Sequence, residues 1–315
     1  VVPAADAVRL RRVFPSTAVL CALVAGVATA AVPDATLRAG AEQLHPALYL
    51  VHVGNGQLRR VLVDASGDGP PLSLSWTSDG RAVLYERSPC DGCFEIRLVR
   101  LASGRRGLGA RIASGLAPSL AADGRTLVYL GSDGALYRTT LGSDRVREVS
   151  PGGAGPGEID QPRVSPDGRR IAFAREGPGG IWSIDTIPAD GGGERRLTPA
   201  GLSTANPAWS PDGRTIAFAA QGRDLRWRIE LMNADGGHRR VLPGSHGSDS
   251  YPTWSPDGRR IAFVHQSGDR HSIYVVGVDG RGERRLTPAS LDAIQPAWSP
   301  LGDEIAFAVE GASPD

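Results

Sequence analysis

Short apolar runs, each bounded by turn-forming clusters, set the pattern of this chain. The clearest run is Ile-Ala-Phe, at 171–173, 216–218, 261–263 and 305–307. Apolar side chains at consecutive strand positions need both faces of the sheet covered. Ahead of most of these runs stands a Ser-Pro-Asp-Gly cluster, and ahead of that a run that ends in Trp209, Trp254 or Trp298. Pro presets φ at the second turn position, Asp follows comfortably, and Gly takes the left-handed conformation of a bulged hairpin. A second hairpin comes next: "IWSIDTIPADGGGERRLT" (181–198) turns at Asp190-Gly191, and "SIYVVGVDGRGERRLT" (272–287) turns at Asp279-Gly280. The pattern predicts units of four short antiparallel strands, uninterrupted by any amphipathic helical run.

The unit repeats six times. Its first hairpin reads "LSWTSDGRAVLY" (74–85), "PSLAADGRTLVY" (118–129), "PRVSPDGRRIAF" (162–173), "PAWSPDGRTIAF" (207–218), "PTWSPDGRRIAF" (252–263) and "PAWSPLGDEIAF" (296–307). The turn position falls at Asp79, Asp123, Asp167, Asp212, Asp257 and Leu301, a period of 44 or 45 residues. A fixed period of this size, built from strands, predicts an all-β, six-bladed β-propeller of four-stranded antiparallel blades. The repeated Trp and Phe side chains are then core between blades, and the recurrent Asp is a turn residue.

The ends fit a closed ring. The sixth copy stops after its first hairpin, near Val309, while "ALYLVHVGNGQLRRVL" (47–62) matches the second hairpin at 272–287. The N-terminal strands are therefore expected to complete the last blade, and the propeller to span 47–309, with 310–315 a tail.

Composition changes the picture at the N-terminus. Arg9, Arg11 and Arg12 precede an uncharged run from Val13 to Ala31, and Ala28-Thr29-Ala30 supplies small residues for cleavage. Residues 1–30 are read as a signal peptide, or as an N-terminal anchor if uncleaved, followed by a short linker at 31–46. The expected location is extracytoplasmic, periplasmic or secreted. Cys90 and Cys93 in "SPCDGCFEI" then form an even pair in an oxidising compartment, expected as a disulfide at a hairpin tip. The net charge is +1 and the basic residues, all arginine, are spread along the repeats. No field favours nucleic acid, and membrane contact is expected only through an uncleaved N-terminal segment.

The phrase P-x-W-S-P-D-G-R-x-I-A-F, followed by I-Y-x-x-x-x-D-G-x-x-R-R-L-T, resembles the repeat of TolB-type β-propellers. The likeness covers roughly 47–309. It implies an exported six-bladed propeller with a protein-binding role, which in that family is binding of the lipoprotein Pal. The family also carries an α/β domain before the propeller, for which residues 31–46 are too few. Similar repeats form the propeller of prolyl-oligopeptidase-like peptidases, but no G-x-S-x-G occurs in this chain.

Function on a repeat scaffold belongs to positions that vary between copies. The segment that leads into each blade ends in X-Pro, with X as Gln161, Asn206, Tyr251 and Gln295. Just upstream stand Glu158 and Asp160, Ser203, Asp249 and Asp292. These nine residues are the expected partner-binding rim at the channel mouth, on loops, with Tyr251 as its aromatic anchor. The family's matching loops face Pal, so the resemblance implies a binding rim here. The expected partner is an envelope protein or lipoprotein, or a cell-wall component. No catalytic residue, metal site or cofactor is expected. Glu158, Asp160, Asp249 and Asp292 are the carboxylates that a calcium ion in the channel would use. His265 and His271 flank one hairpin and could approach each other. The function expected is an exported, non-enzymatic binding or scaffold propeller. The alternative is an enzyme, or a carbohydrate- or metal-binding module, with its site at the channel mouth.

Overall fold

The computed structural model describes residues 46–63, 70–90, 92–101, 108–150 and 158–309. The expected signal or anchor at 1–30, the linker up to residue 45 and the tail at 310–315 lie outside the described residues.

The chain opens with β1 (Ala47–His52) and β2 (Leu58–Val63). The first full blade holds β3 (Leu72–Trp76), β4 (Ala82–Cys90), β5 (Cys93–Arg100) and β6 (Ala110–Ser114), and the second holds β7 (Leu116–Leu120), β8 (Thr126–Leu130), β9 (Leu136–Thr140) and β10 (Val146–Ser150). The third consists of β11 (Ile159–Val164), β12 (Arg170–Glu176), β13 (Trp182–Pro188) and β14 (Arg195–Arg196). The fourth follows with β15 (Thr204–Trp209), β16 (Thr215–Gln221), β17 (Trp227–Asn233) and β18 (Arg240–Val241). The fifth has β19 (Asp249–Trp254), β20 (Arg260–Ser267), β21 (Arg270–Gly277) and β22 (Arg284–Arg285), and β23 (Ala293–Trp298) with β24 (Glu304–Val309) end the chain. Each full blade is a four-stranded antiparallel sheet in chain order, and the sixth runs β2-β1-β24-β23. The ring therefore closes as the repeats predict: Leu50 pairs with Ala306 across the join.

The second strand of each blade is buried on both faces. Phe173, Phe218, Phe263 and Phe307 are almost wholly inaccessible. Phe218 clusters with Ala172 and Ile184 of the preceding blade, and Phe307 with Ala262 and Ile273. Burying one such ring contributes about 2–3 kcal/mol. The one helical turn among the described residues is a 3₁₀ turn at Pro178–Gly180.

The tight turns follow their chemistry. In the third blade Gly168 N–H donates to Ser165 O at 2.8 Å, with Gly168 at φ 71°. Ser165 Oγ donates to Asp167 Oδ1 at 2.6 Å, and Arg169 N–H donates to the same oxygen at 3.1 Å. These donors hold the Asp167 carboxyl below the usual carboxylate range, and Ser210 and Ser255 do the same for Asp212 and Asp257. Cys90 and Cys93 are disulfide-bonded at the tip of the β4–β5 hairpin.

Candidate functional site: the central channel

The innermost strand of each blade lies at an edge of its sheet. A proline there gives up no ladder hydrogen bond, so X-Pro can sit inside the strand. Here the structure differs from the sequence expectation. Gln161, Asn206, Tyr251 and Gln295 are strand residues, within β11, β15, β19 and β23, and not loop tips. Each has left-handed backbone, with φ between 50° and 54°, and the equivalent Ser73 and Ala117 share it at 52° and 47°. In all six blades the pairing register slips at this point. The variable position is a repeated bulge.

At three of the bulges the X side chain reaches the next blade. Gln161 Oε1 accepts from Asn206 N–H at 2.8 Å and Asn206 Nδ2–H at 2.7 Å. Asn206 Oδ1 accepts from Tyr251 N–H at 3.3 Å. Gln295 Oε1 accepts from Ser73 N–H and so clasps the last blade to the first. Where X is too short to reach, another carboxylate serves. Glu86 Oε2 accepts from Ala117 N–H at 2.9 Å, and Asp160 Oδ1 accepts from Gln161 N–H at 2.8 Å. Five of the six X amides thus donate to a side chain around the channel.

Below this ring, toward the Ser-Pro-Asp-Gly turns, lies a cavity of about 380 Å³ lined by all six blades. Its wall runs from Asn206, Tyr251 and Gln295 down to the turn prolines Pro166, Pro211, Pro256 and Pro300, with Trp76, Trp209, Trp254 and Trp298 between. The wall's polar groups are largely engaged between blades. Trp76, Trp209 and Trp254 donate Nε1–H to the carbonyls of Ala297, Arg163 and Ala208 at 2.8, 2.9 and 3.1 Å. Ser75 Oγ, Ser119 Oγ and Thr253 Oγ1 accept the main-chain N–H groups of Leu120, Val164 and Trp298.

Glu86, Asp160 and Arg163 form the charged group at the ring. Burial pushes the Asp160 carboxyl up to about 6, eased by the Gln161 N–H and reinforced by the negative charge of Glu86. Burial also raises Glu86, against the donors Ala117 N–H and the Ser73 hydroxyl. Arg163 is lowered by burial, while Asp160, Tyr251 and Glu86 oppose that loss. Glu86, Arg163 and Tyr251 belong to alternate blades, so they meet across the lumen.

The nine expected rim residues part company. Asn206, Tyr251 and Gln295 line the cavity and Gln161 does not, although Gln161, Asn206 and Gln295 are all buried in the clasps. Glu158 is exposed and Ser203 half-buried at the opposite, loop end. Asp249 is wholly buried. Its Oδ2 accepts from Ser245 Oγ at 2.6 Å and His246 N–H at 3.0 Å, and its Oδ1 lies 2.6 Å from His265 Nδ1. Asp292 Oδ1 accepts from His271 N–H at 2.8 Å and lies 2.9 Å from His271 Nδ1. These two contacts hold its carboxyl below the usual range although burial would raise it. His265 pairs with Ser272 and His271 with Gln266, so the two imidazoles leave opposite faces of the hairpin. Among the described residues no three His, Cys, Asp or Glu side chains gather where they could hold a metal ion. Sequence reasoning did not single out Glu86 or Arg163. Arg163 could have been found by aligning the copies, because its place in the other blades holds Ser75, Ser119, Ala208, Thr253 and Ala297.

Comparison with known proteins agrees with this architecture. The TolB beta propeller domain family matches residues 94–302. Among solved structures the chain is similar to TolB from Acinetobacter baumannii, with 21% identity, TM-score 0.60, and coverage of 86% of this chain and 65% of that one. The chain thus spans just under two thirds of that protein's length. It is also similar to a putative TolB from Agrobacterium tumefaciens, with 20% identity, TM-score 0.51, and coverage of 87% and 100%. An oligogalacturonate lyase from Vibrio parahaemolyticus is a further structural neighbour, with 14% identity, TM-score 0.56, and coverage of 83% and 82%. At such identities these likenesses show the fold alone. No curated protein matches the chain. With six registered blades and a family match over more than half its length, this chain belongs to the TolB β-propeller family.

Proposed function

We propose that this chain is an exported binding propeller, which holds an envelope protein, lipoprotein or cell-wall component at the mouth of its channel and catalyses no reaction on it. The observation that carries the reading is the concave turn-end cavity, to which all six blades contribute. Its Trp and Pro surfaces offer rigid apolar area, the kind that anchors partners at low entropy cost. Among the described residues Arg163 and Tyr251 are the only ionisable side chains on that wall, and these present no nucleophile–base pair of the kind a hydrolase needs. Family membership supports a binding role. The Cys90–Cys93 disulfide supports an oxidising, extracytoplasmic compartment. No helix among the described residues is long and apolar enough to cross a membrane.

The test is capture from envelope extract on the immobilised full chain, followed by affinity measurement. Tyr251→Ala should weaken binding of the captured partner by about 2 kcal/mol, with circular dichroism unchanged. Capture of nothing specific, or an affinity indifferent to Tyr251 but lost on substitution at the outer strands, would reject this reading.

A further inference from the structure

The six blades act as internal controls for one another. At the lumen-facing position two residues after X, five of them carry Ser75, Ser119, Ala208, Thr253 or Ala297, which are small. The third blade alone places a cation there. Arg163 lines the cavity, and among the described residues it is the wall's one permanently charged group. Its Nη1 donates to Pro162 O at 3.0 Å, and its remaining guanidinium N–H groups donate to no described residue. The nearby carboxylates act on it through space without pairing. Glu86 is held by Ala117 N–H and Asp160 by Gln161 N–H, and neither forms an ion pair with Arg163. Arginine sets its donors in a planar fork that matches a carboxylate, and such paired charged bonds are the strong ones.

The cavity also has a direction. Its lining runs from the X ring to the turn prolines, and Glu86, Glu158, Asp160, Asp249 and Asp292 are absent from it. A volume of about 380 Å³ stands at the small end of ligand sites, which run from about 300 to 1,000 Å³. A pocket whose inner end is a ring of clasped side chains accepts a chain end more readily than a segment that must enter and leave. Apolar Trp and Pro walls suit the last side chains of an extended peptide, and Arg163 at the inner end suits its terminal charge.

We propose that the turn-end cavity binds the free C-terminal carboxylate of an extended, apolar-ended peptide, with Arg163 as the group that reads the carboxylate. This deepens the binding reading above, on which it rests, by naming the part of the partner that enters the channel.

The experiment uses the immobilised full chain and a pool of N-acetylated tetrapeptides randomised at the last two positions. The pool is made once as free acids and once as C-terminal amides. The intact protein should retain free acids at least about tenfold better than amides, as expected for a charged hydrogen-bonded pair. Arg163→Gln should erase that preference, and Arg163→Lys should restore part of it. Ala208→Glu, which leaves Arg163 in place but tethers a carboxylate in the neighbouring blade, should also erase it. Matching melting curves control for folding. Equal retention of acids and amides, no retention, or a preference that survives Arg163→Gln would overturn the proposal. N-acetyl amino acids held as tightly as the tetrapeptides would overturn the peptide assignment in favour of a small carboxylic acid. Envelope capture without any acid preference would sink this inference alone. Acid preference without a captured protein would sink the partner reading and leave this one standing.

Discussion

Two of the left-handed positions recur in every blade, one in the first hairpin turn and one in the lumen bulge, and they are filled differently. In the third blade the hairpin turn uses Gly168 at φ 71°, while the lumen bulge uses Gln161 at φ 50°. The turn needs no side chain there, so glycine avoids the steric penalty. In this blade the bulge carries an acceptor that reaches the next blade, so a strained non-glycine residue is kept, at a cost of about 1–3 kcal/mol. The side chain offsets that cost by satisfying Asn206 N–H and Nδ2–H, which are otherwise buried donors. Backbone strain is thus relieved where only shape matters, and retained where blades must be joined.

The largest effect is expected from opening the ring. Removing residues up to 62 takes β1 and β2 from the sixth blade and bares the apolar edge of β24. An unpaired edge of this kind invites aggregation. We expect loss of cooperative melting for the whole propeller, since the Gln295–Ser73 clasp spans the same join. A truncated protein that melts as sharply as the parent, at the same temperature, would show that closure is dispensable.

Inside the closed ring, Gln161→Leu should cost about 3 kcal/mol, because it strands two buried donors and keeps the strained backbone. Gln161→Gly should cost less, about 1 kcal/mol, as it relieves the strain and leaves space for water. Denaturant titration of the pair decides the matter: equal losses would mean that the amide does not hold the blades together.

Asp160→Asn should act in the opposite direction and depend on pH. The folded-state pKa of Asp160 is raised to about 6 from 3.8, so the native state binds more protons than the unfolded one between those values. The stability contribution of this group therefore falls as pH rises through that window and is least favourable above it. Asparagine keeps an oxygen for Gln161 N–H without the buried charge. The variant should be more stable than the parent by about 1–2 kcal/mol near pH 8, allowing for screening by lumen water, and the gap should close near pH 4. A gap that does not change with pH would exclude the buried charge as its cause.

The smallest effect belongs to the turn. A Cβ on Gly168 would meet nothing within 4 Å, so only its backbone angle resists substitution. Gly168→Ala should cost about 1 kcal/mol, and Gly168→Asn less, since asparagine tolerates this conformation. Thermal melts that rank the two the other way would mean that the turn is not strained as described.

Much of this was legible in the chain. The Ser-Pro-Asp-Gly turns, the Ile-Ala-Phe strands and the displaced hairpin at 47–62 each carry a local signal, and all three stand where expected. The candidate site was legible only in part. X-Pro read as a loop because proline usually breaks a ladder, yet on an innermost strand it breaks nothing. Asp249 read as a rim carboxylate, since sequence does not show that Ser245, His246 and His265 converge on it. Of the nine residues, Asn206, Tyr251 and Gln295 line the cavity, and the rest of its lining runs toward the turns and not the loops.

The sequence by itself determined the period, the turns, the four strands per blade and the closure. Each of these depends on residues a few positions apart, or on one phrase repeated at a constant interval. Tertiary structure decided which face of the ring is concave, which carboxylates are buried, and what Arg163 meets. Those depend on groups about 45 or 90 residues apart brought to one axis. The charges of Glu86 and Arg163 act on each other because alternate blades face each other across the lumen.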